Sequence, residues 1–422
     1  MDGDSQATAE DEAVKRRRIV IAGGGVAGVE AALALADLAG ELADIALISP
    51  EADFLYKPLT VEEPFTSQPA ARMELAPLLS ETGVEFVAGA LEVVHPERHE
   101  AVVGKGGGNS EVVSYDSLVV CIGGRARAVY SKAETFWSSR SDLPIDALIR
   151  GAAASEGKAI TFVVPPGTSW PLPLYELALL TRRRTEQLDV AEIALRIYTP
   201  EDSPLLIFGR PASDAVSGVL RARRIELELE ASVVEHAPGD LRVVPGGRAL
   251  GSSAVIALPR IEGAEIAGLP VDDHGFIPID PSCRVVGASD VYAAGDGTNF
   301  PVKQGGLATQ QADVVATQIA ADLGAPVKAT EFDPVLRGQL ITGDESLNLK
   351  HELSGGHGEG IASLDYLWWP PQKIGGRYLS AVIANQPVGD LEPGTRTLEV
   401  EVSFPHEWHG ELLSWDAEVA NE

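Results

Sequence analysis

Three observations predict an α/β fold. An apolar strand runs straight into a glycine-rich turn and an alanine-rich helix, a second strand–helix series fills the middle of the chain, and a late strand ends in Gly-Asp. Together they predict two Rossmann-like three-layer domains, the second inserted in the first, followed by a C-terminal cap. The expected layout is an acidic disordered leader over 1–14, a first domain over 15–140 and 272–325, an inserted domain over 141–271, and a cap over 326–422. The first strand is Ile19–Ala22, the turn Gly23–Gly28, the helix Val29–Leu38 and the next buried strand Ile45–Ile48, a βαβ unit of ordinary length. Val84–Val87 and Ser117–Ile122 read as further strands, with Gly104–Gly108 as a hairpin or loop between them. In the middle, strands are expected at Ala159–Val164, Ala194–Tyr198 and Val255–Leu258, with helices over about Leu174–Arg184 and Ser213–Arg223. Val291–Ala293 and a helix around Leu307–Leu323 return to the style of the first domain, and the chain after about 330 reads as less regular.

At 422 residues the chain exceeds one ordinary domain, and 45% hydrophobic residues suffice for more than one core. The net charge is −29, and only five of the acids fall in the first twelve residues, so the body itself is acidic. That argues against nucleic acid or an anionic membrane surface as the main partner. The basic run Lys15–Arg18 reads as the solvated start of the first strand. The two cysteines, Cys121 and Cys283, make no CxxC pair, and His351, His357, His406 and His409 form no ligand set, so neither a disulfide framework nor a metal site is expected. No apolar run reaches membrane-spanning length and no secretory signal precedes the first strand, which makes the cytoplasm the default location.

Gly23-x-Gly25-x-x-Gly28 lies between a strand and a helix, the context in which this pattern binds a dinucleotide. Gly23 permits the tight turn, Gly25 lets the backbone approach a pyrophosphate, and Gly28 lets helix and strand pack closely. The helix start, at Val26 and Ala27, offers unpaired N–H groups to that anion. The second strand ends at Ser49, where such folds place a ribose-gripping acid; Glu51, two residues on, either does that work or is a solvated loop acid. Val291-Tyr292-Ala293-Ala294-Gly295-Asp296 sets a carboxylate at a strand end beside a glycine, suited to a ribitol hydroxyl.

With Tyr115-Asp116-Ser117-Leu118-Val119-Val120-Cys121-Ile122-Gly123-Gly124 between them, these motifs resemble the FAD-dependent pyridine nucleotide-disulfide oxidoreductase superfamily over residues 17–325. The resemblance implies FAD held by Gly23, Gly25, Val26, Ala27 and Gly28 at its phosphates, by Ser49 and Glu51 near a ribose, and by Gly295 and Asp296 at the ribitol. It runs Phe54–Pro58, including Lys57 and Pro58, beside the flavin ring, and adds Val87, Ile122, Gly123 and Gln304 as contacts. Lys303, before the helix that faces the flavin, would stabilise charge on the reduced ring, or is a plain surface lysine.

Most members carry a second glycine loop for NAD(P)H. Here the corresponding stretch is Pro165-Pro166-Gly167-Thr168-Ser169-Trp170-Pro171-Leu172-Pro173, and proline offers a phosphate no N–H. That departure resembles the sulfide:quinone oxidoreductase and flavocytochrome c sulfide dehydrogenase branch. Trp170 stands near the place of that branch's cysteine, and without such thiols sulfide chemistry is not expected. In the neighbouring type II NADH dehydrogenases a helix glutamate lies near the flavin, and Glu176 matches it; it either moves protons for a quinone or is a helix N-terminal acid favoured by the dipole. Leu364–Pro371 is aromatic, and either packs over the flavin, forms a homodimer contact or touches a membrane peripherally. The reading is an FAD-dependent oxidoreductase exchanging electrons with a small-molecule donor and a quinone-like acceptor. The alternatives are an NAD(P)H-dependent quinone reductase and a non-catalytic flavin-binding scaffold.

Overall fold

The computed structural model describes residues 16–67, 69–139, 142–190, 192–353 and 360–388. The acidic leader, the last twenty residues and His357, His406 and His409 lie outside these. β1 (Arg17–Ala22) has its last four residues buried, without the alternation of a one-sided strand; such a run fits a parallel strand covered on both faces. It leads through Gly23–Gly25 into α1 (Val26–Ala39). β2 (Ala43–Ser49) returns parallel to β1, with Ile19 opposite Ile45 and Ile21 opposite Leu47. β3 (Glu85–Ala88) lies beyond β2, and β4 (Ser117–Val120) on the other side of β1. The arginines at the start of β1 pair with carboxylates of neighbouring strands, Arg17 with Asp116 at 2.9 Å and Arg18 with Glu85 at 2.6 Å.

The chain then leaves for a second sheet. β5 (Glu134–Thr135), α2 (Ile145–Ala154), β6 (Ala159–Val163), α3 (Leu172–Gln187), β7 (Ala194–Tyr198), α4 (Arg210–Ala222), β8 (Ile225–Glu228) and β9 (Ala254–Ala257) follow in turn. Their strands pair in parallel in the order β5-β9-β6-β7-β8. β10 (Val291–Ala293) returns to the first sheet beside β4, giving the order β10-β4-β1-β2-β3, and α5 (Gly305–Asp322) follows it. Four strands of each sheet therefore share one order, while the edge strand comes last in the first sheet and first in the second. In each, the strand entering the first loop is central, and the loop emerges where neighbouring strands diverge, the place at which such sheets bind ligands.

Side chains alternate across each sheet. Ile19, Ile21 and Val119 pack with α1 and α5 on one face, whereas Val20, Ala22, Leu118 and Val120 meet Leu91, Val94, Ala101 and Val103 on the other. Those last four belong to an antiparallel meander (Ala90–His95, Glu100–Gly106, Asn109–Ser114) whose turn is the glycine run expected as a hairpin. The third layer is thus β rather than α. The second sheet repeats this, with Ile160 and Phe162 on the helices, and Val163 and Ala257 on a meander carrying Val233, Leu241 and Val243.

The C-terminal part is more regular than its sequence suggests. β11 (Val335–Leu340), β12 (Leu347–Glu352) and β13 (Ile361–Ser363) form an antiparallel sheet. Leu336, Leu340, Leu347 and Leu349 enter the core around the second sheet. The segment after β13 crosses to the first sheet's side, where Ile374, Tyr378 and Leu379 of the chain entering α6 (Leu379–Ala384) pack in the core around α1. Of the aromatic stretch, Trp368 is buried, its indole N–H donating to the Gln372 carbonyl at 2.8 Å, while Tyr366 is 55% exposed. Among the described residues no helix is long and apolar enough to cross a membrane. Phe162 is fully buried at the centre of the second sheet. Phe162→Ala is expected to cost about 3–5 kcal/mol, read as a lower midpoint in urea unfolding, with the first sheet's motifs untouched.

Candidate functional site

The strands of both sheets, the loops after them and the C-terminal segment enclose a cavity of about 880 Å³. Its floor is the glycine turn. Gly23 has φ +122°, and a Cβ there would collide with the Cys121 carbonyl, so only glycine lets the chain pass over β4. Gly25 ends the turn in an extended conformation with no atom within 4 Å of where a Cβ would stand, and no side chain caps α1. The first N–H groups of α1, which have no partner within the helix, are left facing an open space. The residues present thus fit a bound pyrophosphate, a backbone cradle that side chains would fill and an uncapped helix start.

Most residues singled out from the sequence line this cavity: Gly23, Gly25, Val26, Ala27, Ser49, Glu51, Lys57, Pro58, Ile122, Gly123, Gly295, Asp296, Lys303, Gln304 and Glu176. Two do not. Gly28 lies behind the floor, where a Cβ would strike the Gly23 carbonyl, so it serves the crossing of helix and strand. Val87 packs against the core on the meander side, and Ala90 and Leu91 reach the wall instead. The buried Ser49 hydroxyl accepts from the Glu51 N–H at 3.1 Å, which fixes the loop carrying Glu51.

Across the floor, Gly295 at φ +86° donates its N–H to the Gln311 amide oxygen at 2.7 Å and turns the chain after β10. Burial pushes the Asp296 carboxyl up, opposed by the charges of Lys57 and Lys303. Lys303 is only 7% exposed, so it is no surface lysine. It donates to the carbonyls of Thr298 and Phe300 and lies 3.7 Å from the centre of the Phe276 ring. Burial pulls its ammonium down to about 8, with Asp296 and Asp272 acting the other way. Gln304 uses its side chain within the protein: its oxygen caps α5 at the Leu307 N–H, and its amide donates to the Arg337 carbonyl.

Glu176, on the second turn of α3, is fully buried, so it is not a solvated helix-start acid. Its carboxylate accepts from the Ile341 N–H at 2.9 Å and from Lys373 Nζ at 2.7 Å. Lys373 also donates to the Pro58 carbonyl at 2.9 Å. Burial raises the Glu176 carboxyl, and Lys373 offsets part of that rise. Lys373 and Ile374 were not legible as site residues, nor were Arg72, Arg125 and Gln339, which also line the wall. The one available signal for Lys373 was a lysine two residues after the aromatic and proline run. Cys121 touches the cavity, but burial pushes its thiol, like that of Cys283, up to about 12; neither is a ready nucleophile.

A parallel-sheet fold with a glycine cradle and a strand-end Asp defines a dinucleotide-binding redox protein. Comparison places it further. The family model for pyridine nucleotide-disulphide oxidoreductase matches residues 17–142 and 190–316. The chain is 24% identical over 358 residues to demethylphylloquinone reductase NdbB of Synechocystis sp., covering 77% of this chain and 84% of that one. Among solved structures it is similar to the sulfide:quinone oxidoreductase of Aquifex aeolicus, with TM-score 0.71, 18% identity, and 82% and 86% of the two chains covered. It is also similar to NDH2 of Plasmodium falciparum in complex with NADH, with TM-score 0.63, 12% identity, and 82% and 92% covered. The chain belongs to the pyridine nucleotide-disulphide oxidoreductase family and is an FAD-dependent oxidoreductase.

Gly25→Ala tests the cradle. The added methyl meets no protein atom, so fold stability is expected to change by less than about 1 kcal/mol. FAD affinity is expected to fall about tenfold, about 1.4 kcal/mol, read by flavin fluorescence on titration of the cofactor-free protein.

Proposed function

We propose that this chain passes electrons between a small-molecule donor and a quinone-like acceptor, with Glu176 and Lys373 managing the acceptor's protons. The observation that carries the reading is the buried Lys373–Glu176 pair in the cavity wall. A quinone that gains two electrons must also gain two protons to leave as a quinol, so its site needs groups that deliver protons out of bulk water. FAD, when bound, supplies the two-electron redox chemistry. Glu176 is suited to the proton work. Its burial favours the protonated form, and Lys373 and the Ile341 N–H support the charged form after the proton leaves. Lys373 keeps the Pro58 carbonyl as a second acceptor, so its position does not depend on the charge of Glu176. Lys303, seated beside Asp296, places a cation next to the ring position that the family resemblance implies. The names of the relatives, a demethylphylloquinone reductase and a sulfide:quinone oxidoreductase, support a quinone-like partner.

The second sheet supports a donor other than NAD(P)H. Its first loop is Pro165–Pro173, with Gly167 as the one glycine. The acid beyond the end of β7, Glu201, is turned into the protein. It accepts from the Tyr175 hydroxyl at 2.6 Å, the Thr199 hydroxyl at 2.8 Å and the Leu205 N–H at 3.0 Å, leaving little capacity for a ribose. The reading of an NAD(P)H-dependent reductase has two points in its favour: the cavity extends to Thr168, Ser169 and Trp170 of that loop, and the similar NDH2 of Plasmodium falciparum was solved in complex with NADH.

Anaerobic spectra of the FAD-loaded protein separate the two readings. A reduced quinol is expected to bleach the flavin band, and NADH or NADPH at micromolar concentration to leave it; rapid bleaching by either nucleotide would overturn the choice. Glu176→Gln is expected to retain FAD and to lower kcat for quinone reduction by about 10²-fold or more. Its pH profile has a definite sign. A carboxyl raised by burial delivers a proton below its own pKa, so wild-type turnover falls as pH rises through that raised value. The glutamine variant is expected to lack that limb.

A further inference from the structure

Lys373 reaches the cavity on a short strap, and the strap is fastened on its far side by charged groups that the proposed chemistry does not use. Three residues past Lys373, the chain lies against α1 and α5. Thr309 of α5 donates to the Gly375 carbonyl at 3.0 Å, and the Ser380 hydroxyl joins the Gly376 N–H to the Ile374 carbonyl. The Ile374 N–H donates to the Tyr56 hydroxyl at 2.8 Å. The central fastening is Glu30, on α1 and fully buried. Its two oxygens accept the backbone N–H groups of Tyr378 at 2.9 Å and Leu379 at 2.6 Å.

Glu30 does not stand alone. Asp313 of α5 meets it carboxyl to carboxyl, and Asp313 Oδ1 receives no N–H or O–H from any other residue. Two carboxyls in contact, one buried and the other half-buried, cannot both be charged at modest cost, so a proton is shared between them. The other charged and titratable groups facing the pair are Arg377 and Tyr378 on the strap, and Asp37 of α1, which accepts from the Tyr378 hydroxyl at 2.8 Å. Arg377 is the cation opposing the pair, and it lies 5.5 Å from the Tyr378 ring, on the outer side of the strap. Gly376 is the contact point: a Cβ there would come within 3.0 Å of Glu30 Oε2 and 2.8 Å of Thr309.

We infer that Glu30 and Asp313 form a proton-sharing latch that positions Lys373, and that loss of the shared proton frees the strap from the cavity wall. Glu30 is a positioning residue in this account, since it acts on the cavity only through the strap. Its effect on turnover rests on the role proposed above for Lys373; the latch itself does not.

The direction of the pH effect follows from linkage. Burial raises Glu30 from 4.5 to about 7, against the pull of the strap's N–H groups, and Asp313 is raised further by burial and by the charge of Glu30. With the strap released, both carboxyls meet water and titrate near their ordinary values. The latch is therefore at full strength below the ordinary carboxylate range and weakens as pH rises through about 7. Glu30 alone shifts the opening equilibrium about tenfold between pH 6 and pH 8, and Asp313 adds to it.

Hydrogen exchange on the full-length, FAD-loaded protein at pH 6 and pH 8 reads this without any substrate. After correction for base-catalysed exchange, protection of the Ile374, Gly376, Tyr378 and Leu379 amides is expected to fall at least about tenfold, while Val20 and Ile21 of β1 stay unchanged. Asp313→Asn, whose amide can donate to Glu30 at every pH, is expected to remove the share of Asp313 and diminish the dependence to that of Glu30 alone. Equal protection at both pH values in the wild type would overturn the latch, as would an undiminished dependence in the variant. Loss of quinone turnover is expected to track strap opening. If the strap opens with pH and turnover does not follow, the latch stands and the role given to Lys373 falls.

Discussion

The crossing of α1 over the central strands is the constraint on which the rest of the structure depends. Gly23 passes against the Cys121 carbonyl and Gly28 against Gly23, at distances that any side chain would forbid. That contact sets the start of α1 at the edge where β1 and β4 end, and so aims its free N–H groups into the cavity. It also sets Glu30, one turn further along α1, beneath the strap that brings Lys373 to the opposite wall. A single helix thus ties the glycine cradle to the strap that carries Lys373.

The two sheets keep one four-strand order around differently built loops. Both place a loop and a helix after a central parallel strand. In the first the loop is glycine and open; in the second it carries four prolines, and the nearby acid is spent on Tyr175, Thr199 and Leu205. The second sheet keeps its value as a wall. Its helices share one apolar core with β11 and β12, and α3 carries Glu176 from that core to the cavity.

Charge inside the protein follows a different rule from charge outside. The surface pairs of Arg17 and Arg18 are solvated and contribute little to stability. The Lys373–Glu176 pair is almost fully withdrawn from water, and its desolvation cost can match the attraction it gains.

The sequence by itself determined the parallel α/β class, the glycine cradle, the Gly295–Asp296 turn and the proline-rich character of the loop Pro165–Pro173. Each is written in neighbouring residues, because backbone conformation, helix starts and missing N–H groups are local properties. Tertiary structure decided that the third layer of each sheet is a β meander, that Gly28 and Val87 stand behind the wall, and that the chain after β11 is an ordered sheet and strap. It alone paired Glu176 with Lys373, 197 residues away, and Glu30 with a strap nearly 350 residues on. No local pattern marks such partners, because a buried charge is satisfied by whichever group the packed chain brings within reach, and that is known only once the chain has folded.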